Sequence, residues 1–172
     1  MKRINILIVL IIFSFTSTVF AQKKGFYENV QKKNVSKVLD DLNTFAAAAD
    51  FKNYFNLFAP ESMFIGTDAT EVWNKKEFMD YSKPHFDKGK AWNFTSLKRN
   101  ISFSSDGKYA WFDELLDTQM KLCRGSGVLE KIGNQWKIKQ YVLSQTIPND
   151  VNDEVIKIKT PIEDAIISDL KK

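Results

Sequence analysis

The stretch from Trp111 to Asp150 decides the fold, and it reads WFDELLDTQMKLCRGSGVLEKIGNQWKIKQYVLSQTIPND. Apolar and polar residues alternate through most of it, as they do in strands with one face on a core. The dipeptide Gly133-Asn134 interrupts the alternation, and Asp106-Gly107 lies just upstream. Such dipeptides supply the positive φ angles that tight hairpin turns require. The pattern therefore predicts an antiparallel meander.

The chain upstream of this meander has helical periodicity instead. Apolar residues between Val35 and Ala49 recur at the helical spacing of about 3.6 residues and predict a helix of four turns. A short apolar set follows at 54–58, and the segment SMFIG at 62–66 predicts a short strand. Asn74 and Glu77 have the spacing of a capping box, so we expect a second helix there, which Pro84 kinks or restarts. Helices followed by an antiparallel sheet predict an α+β fold.

Four blocks of the meander, WFDELLD, RGSGVLEK, WKIKQYVLS and IPND, resemble the SnoaL-like branch of the nuclear transport factor 2-like proteins. The resemblance extends over roughly residues 35–150. It implies a cone-shaped barrel, in which the N-terminal helices pack into a strongly curved antiparallel sheet that encloses a pocket. It also implies homodimers that pair across the outer faces of the sheets. The alternation predicts the strands themselves at about 92–104, 108–120, 122–132 and 135–147.

The N-terminus has the pattern of a secretory signal. Lys2 and Arg3 precede an apolar core at 6–15, and Val19-Phe20-Ala21 places small residues where a signal peptidase reads them. The apolar run is shorter than the roughly 20 residues that span a bilayer, which argues against a retained anchor. We therefore expect a signal peptide at 1–21 and export of a chain that begins at Gln22, to the periplasm or beyond the cell.

The remaining sequence predicts one domain at 22–150 and an extension at 151–172. In the extension, Thr160 and Glu163 have capping-box spacing around a proline, so we expect a helix from 161 to about 170. The formal net charge of +4 comes from scattered lysines, a distribution that does not favour nucleic-acid binding. The lone Cys123 and the lone His85 give no thiolate or multi-histidine metal site, and no phosphate-binding motif appears. We expect neither a metal nor a cofactor.

Two adjacent carboxylates, Asp113 and Glu114, lie on opposite faces of the strand predicted from residue 108. Both faces are largely apolar, so at least one carboxylate is expected in a low-dielectric environment. Such a group can serve as a general acid or base. It can equally form a structural ion pair with a cation on a neighbouring strand, most obviously Arg124. Both interpretations remain open at this point.

Two further polar residues of the meander are candidate ligand contacts. Gly125 and Gly127 bracket Arg124, and glycines inside a strand mark a bend or a close backbone approach. A bend there would tip Arg124 into the enclosed space, where its guanidinium could bind a ligand carboxylate in a bidentate way. Simple alternation places Gln140 with the apolar Trp136 and Ile138, so its amide needs hydrogen-bond partners, which could be pocket groups, a ligand or water.

Aromatic residues could line the pocket for a flat apolar ligand, although aromatic side chains also form plain core. The candidates are Tyr54, Trp73, Trp92 and Trp111.

Two functions follow. In the first, the exported protein binds a small apolar or carboxylated molecule, or acts as an accessory module, without a stable membrane anchor. The alternative is a cofactor-free isomerase, cyclase or dehydratase. Asp113 or Glu114 would be its base, and Tyr54, Tyr141 or Arg124 would stabilise the reacting group. The sequence shows no Tyr–Asp or His–Asp constellation typical of the enzymes, so binding ranks first.

Overall fold

The computed structural model describes residues 27–172, and the predicted signal peptide at 1–21 lies outside the described residues. The first helix, α1, extends over 27–47 and contains the apolar stripe that the sequence predicts. Its inward positions are fully or nearly fully buried and belong to the same core cluster as the inner face of the sheet. These positions are Val35, Leu39, Leu42 and Ala46.

Three short elements follow α1 before the second long helix. Helix α2 (Phe51–Asn56) leads into strand β1 (Phe58–Ile65), which forms an antiparallel pair with β2 (Val72–Asn74). The predicted capping box is confirmed at the start of α3 (Lys75–Asp87), where the side chains of Asn74 and Glu77 satisfy each other's backbone amides. Helix α3 continues through Pro84 as a single helix, so of the two predicted effects of this proline, a kink or a restart, the restart does not occur.

The predicted meander forms the main part of the sheet. Its strands are β3 (Thr95–Phe103), β4 (Tyr109–Thr118), β5 (Lys121–Ile132) and β6 (Gln135–Gln145), each antiparallel to the next. The strand order is β2-β1-β6-β5-β4-β3, and the sheet is curved and unclosed. β1 pairs with β6 in parallel. This direction is possible because the two strands lie far apart in the sequence and are not joined by a hairpin, which would make them antiparallel. The α+β class is confirmed, with this one parallel pair in an otherwise antiparallel sheet.

Two bulges interrupt the antiparallel ladders of the meander and strengthen their local twist. On β3 the extra residue is Leu97, since Ser96 and Lys98 oppose the consecutive residues Leu116 and Leu115. On β6 it is Lys139, since Ile138 and Gln140 oppose the consecutive residues Leu129 and Val128. The bulge reverses the alternation of β6. In a regular strand Ile138 and Tyr141, three positions apart, would face opposite sides, but here both point inward.

Two glycines of β5 allow unusually close packing against β6. A Cβ atom at Gly127 would lie 2.0 Å from the backbone carbonyl oxygen of Gln140, next to the bulge. A Cβ atom at Gly125 would lie 2.5 Å from the hydroxyl oxygen of Tyr141. The glycines therefore mark a close approach, as the sequence predicts.

The C-terminal extension forms a helix longer than the predicted one. After a turn of 3₁₀ helix (Asn149–Val151), α4 spans Asn152–Leu170. Thr160 does not cap it but lies inside, where its hydroxyl donates to the carbonyl of Ile156 at 2.6 Å. Two acidic residues in the first turn, Asp153 and Glu154, fit the positive end of the helix dipole and mark the start of the helix. No residue of α4 is buried, and no helix within 27–172 is long and apolar enough to cross a membrane.

Candidate functional site

A cavity of about 180 Å³ lies between the helices and the concave face of the sheet. Helix α1 contributes Leu42 and Asn43, and the loop after β1 contributes Gly66 and Thr67. The walls are mainly aromatic, which suits a small molecule with a flat apolar surface. The aromatic lining residues include Tyr54, Phe64, Trp73, Tyr81, Trp92 and Tyr141.

The aromatic rings stack on one another and form a continuous wall. The rings of Trp73 and Tyr81 are stacked with centroids 4.4 Å apart, and those of Phe64 and Phe78 with centroids 3.9 Å apart. Tyr141 extends the wall on the sheet side, because its ring is stacked 5.5 Å from that of Phe64. Since α3 supplies Phe78 and Tyr81 at a spacing of three residues, one face of this helix presents both rings to the cavity.

Few polar groups interrupt the aromatic wall, and one of them is the half-buried carboxylate of Glu71. Its Oε2 accepts a hydrogen bond from the backbone N–H of Asp68 at 3.2 Å, and it forms no ion pair with any residue in 27–172. No lysine, arginine or histidine belongs to the described lining. The other polar lining side chains are Asn43, Thr67 and Gln119, together with the tyrosine hydroxyls.

Behind Tyr141 lies a buried carboxylate that does not line the cavity. Glu114 is 1% exposed, and its Oε1 accepts a hydrogen bond from the Tyr141 hydroxyl at 3.3 Å. Its Oε2 accepts from Ser96 Oγ and from Arg99 Nε, both at 2.9 Å, and lies 2.7 Å from Arg99 Nη2. Arg99 Nη1 also donates to Asp40 at 2.8 Å. This network ties α1 to β3, β4 and β6.

Burial sets the protonation of the cavity phenols. Desolvation, followed by the adjacent Glu114 carboxylate, raises the pKa of Tyr141 well above its usual value. Burial likewise raises the pKa of Tyr54. Both groups remain neutral phenols at physiological pH. Because Tyr141 donates its proton to Glu114, its oxygen can offer only lone pairs to a ligand.

Three of the predicted ligand-binding residues, Tyr54, Trp73 and Trp92, line the cavity. The fourth aromatic candidate, Trp111, does not. It is 49% exposed on the outer face of the sheet, because it is adjacent to the inward-facing Phe112 on β4.

The predicted inward position of Arg124 is wrong. Arg124 is exposed on the outer face, where it lies opposite Leu115 and Ser144, and β5 turns its small glycines inward instead. The cation that pairs with Glu114 is Arg99. Arg99 has the same alternation as the inward-facing Ile101 and Phe103, and this periodicity is visible in the sequence.

Asp113 and Gln140 also lie away from the cavity. Asp113 faces outward and accepts a hydrogen bond from the side chain of Asn100 at 3.0 Å. The bulge at Lys139 turns Gln140 to the outer face, opposite Val128 and Met63, so simple alternation assigned it to the wrong side. Neither residue contributes to the lining within the described part of the chain.

A curved, unclosed sheet around N-terminal helices, with an aromatic cavity at its concave face, defines the cone-shaped class of α+β ligand-pocket folds. The chain belongs to the SnoaL-like domain family, whose profile matches residues 35–148. The resemblance noted in the sequence is thereby confirmed. No curated protein sequence matches the chain significantly.

Several solved structures share this fold, and some of them are named as members of the nuclear transport factor 2-like family. A protein of Streptomyces avermitilis, provisionally named a dehydratase of that family, is 12% identical; the match covers 70% of this chain and 99% of the other, with a TM-score of 0.61. A provisionally named scytalone dehydratase of Novosphingobium aromaticivorans is also 12% identical, covering 70% and 87%, with a TM-score of 0.59. The association domain of Caenorhabditis elegans CaMKII is 19% identical, covering 69% and 98%, with a TM-score of 0.57. At these identities the similarity shows the fold alone.

Proposed function

We propose that the protein binds a small, flat and largely apolar molecule in the aromatic cavity. The observation that carries the proposal is the wall built by Trp73, Tyr81 and Phe64, which is open to a ligand and bears few polar groups. A carboxylated ligand, the other class considered from the sequence, loses its support because Arg124 lies on the opposite face of the sheet. The proposed ligand is therefore the apolar one.

Binding can be tested with 1-naphthol, a neutral aromatic probe, by isothermal titration calorimetry. We expect saturable binding to the native chain. Thr67→Phe places a bulky ring at the exposed rim of the cavity and should weaken binding at least about tenfold, a loss typical of a blocked apolar contact. Ala69→Phe is the matched control, because Ala69 is exposed in the same loop but does not line the cavity. Equal binding by both variants, or no binding by the native chain, would contradict the proposal.

A cofactor-free proton-transfer enzyme is the second candidate, and one observation favours it. Tyr141 lines the cavity and its hydroxyl is hydrogen-bonded to the buried Glu114, so a proton could pass between ligand and carboxylate through the phenol. Two structures of similar fold carry dehydratase names. Binding still ranks first, because Arg99 and Ser96 already hold the Glu114 carboxylate and Asp113 faces outward. Turnover of a screened substrate that disappears in Tyr141→Phe would reverse this order.

We further propose that the chain is exported after cleavage behind Ala21. The support is the basic start, the short apolar core and the small residues before Gln22. Mass spectrometry of the protein recovered from its own host should show a mature chain that begins at Gln22. Recovery of the uncleaved chain in the membrane fraction would rule the proposal out.

We also propose a homodimer formed through the outer face of the sheet. Trp111, Val128 and Met63 lie in one row across this face, in register with Gln140, and Trp111 and Met63 are 49% and 44% exposed. The association domain among the similar structures fits such pairing. Sedimentation at micromolar concentration should give twice the chain mass, and Trp111→Asp should give the monomer. Ile132→Asp is the control, because Ile132 is an exposed apolar residue at the end of β5, and this variant should remain dimeric. A native protein that sediments as a monomer would refute the dimer.

A further inference from the structure

The charged group at the cavity is an acid without a basic partner. Glu71 lines the same cavity as Trp73 and Tyr81, and it is paired with no cation in residues 27–172. Tyr141 also lines this cavity, and because its hydroxyl donates to Glu114 it offers a ligand no donor of its own. Both polar features therefore favour a positive or proton-donating group over an anion.

From this arrangement we infer that the ligand of the cavity carries an organic cation, an amine or a quaternary ammonium group, next to its apolar part. The inference rests on the proposed binding function and deepens it by naming the charge of the ligand.

Aromatic faces supply the first physical reason. A cation placed over the face of a tryptophan or tyrosine ring is attracted by the negative charge of the π-system, and the attraction is strongest where water is excluded. Trp73 and Trp92, both half-buried, and Tyr81 present such rings to the cavity. An ammonium group with alkyl substituents combines this attraction with apolar contacts to the rings. A hydrated carboxylate offers neither.

The charges around the cavity supply the second reason. The Arg99 guanidinium behind Tyr141 is neutralised by two carboxylates, Glu114 and Asp40, so it contributes no net positive charge toward the ligand. Lys90 lines an adjoining groove that shares Trp92 with the cavity, but Asp117 lines that groove too. The unpaired charge among the described lining residues is therefore negative, at Glu71.

The inference can be tested by measuring how tryptophan fluorescence changes with three added probes of similar shape, because Trp73 and Trp92 line the cavity. The probes are benzyltrimethylammonium, its neutral carbon analogue neopentylbenzene, and the anion phenylacetate. We expect the cation to bind at least about fivefold more tightly than the neutral analogue, a preference of the size that cation–π contacts give. In Glu71→Gln, which keeps an oxygen for the Asp68 amide, cation binding should weaken about tenfold and neutral binding should not change.

Glu61→Gln is the matched control, because Glu61 is a highly exposed acid on β1 that does not line the cavity; it should bind all three probes as the native chain does. A second measurement does not depend on any variant: added salt should weaken binding of the cation and not that of the neutral analogue. Equal binding of cation and neutral analogue, or tighter binding of phenylacetate, overturns the cation inference and leaves the binding function standing. Failure of all three probes and of 1-naphthol overturns the binding function itself.

Discussion

Replacement of Arg99 by alanine is expected to lower the free energy of unfolding by about 3–5 kcal/mol. The substitution leaves the Glu114 carboxylate, which is 1% exposed, without its cation and with only the hydroxyls of Ser96 and Tyr141 as partners. A buried charge that loses its partner is destabilising because neither water nor a counter-charge replaces the lost interaction. Urea unfolding of the native and variant chains measures the difference.

Arg124→Ala is the control for this prediction. Arg124 is exposed on the outer face, so its removal should change the free energy of unfolding by less than about 0.5 kcal/mol. A second variant, Glu114→Gln in the Arg99→Ala background, removes the unpaired charge and should recover part of the lost stability. If Arg124→Ala proved as destabilising as Arg99→Ala, the ion pair described for Glu114 would be wrong.

Replacement of Gly127 by alanine is expected to cost about 3 kcal/mol or more, at the upper end of the range for overpacking a core. The added Cβ would lie 2.0 Å from the carbonyl oxygen of Gln140 and 3.0 Å from the ring of Phe112. The first contact is with backbone, which cannot rotate away as a flexible side chain can, so β5 and β6 would have to separate beside the bulge. Thermal and urea unfolding both report this loss.

Gly133→Ala distinguishes this clash from a general intolerance of glycine replacement. Gly133 has a φ of +59° in the β5–β6 turn, but no atom lies within 4 Å of an added Cβ. The expected cost is therefore only that of a left-handed backbone, about 1–2 kcal/mol. Native-like stability of Gly127→Ala would contradict the close approach of the two strands.

Local patterns were sufficient for most of the architecture. The stripe between Val35 and Ala49 predicted α1, and the alternation after residue 92 predicted all four strands of the meander within a few residues. The Asn74–Glu77 capping box was also predictable, because it depends only on residues three positions apart. The start of α4 was not predicted because Thr160 and Glu163 have the spacing of a capping box, which is a stronger signal than the two acidic residues of the actual first turn.

The functional side chains were harder to assign, because each assignment depends on contacts between strands. One extra residue, Lys139, reverses the alternation of β6, so Gln140 faces outward and Tyr141 reaches the cavity. Glu71, the acid of the cavity, follows a turn in the loop after β1 and has no periodic pattern that marks it.

The sequence by itself determined the family, the α+β class and the aromatic character of the pocket, because these depend on periodicity and composition along the chain. Only the tertiary structure decided that Arg99 and not Arg124 neutralises Glu114, and that Glu71 lines the cavity. The physical reason is that a side chain's partner depends on strand register and on bulges, and these are fixed by packing between segments far apart in sequence.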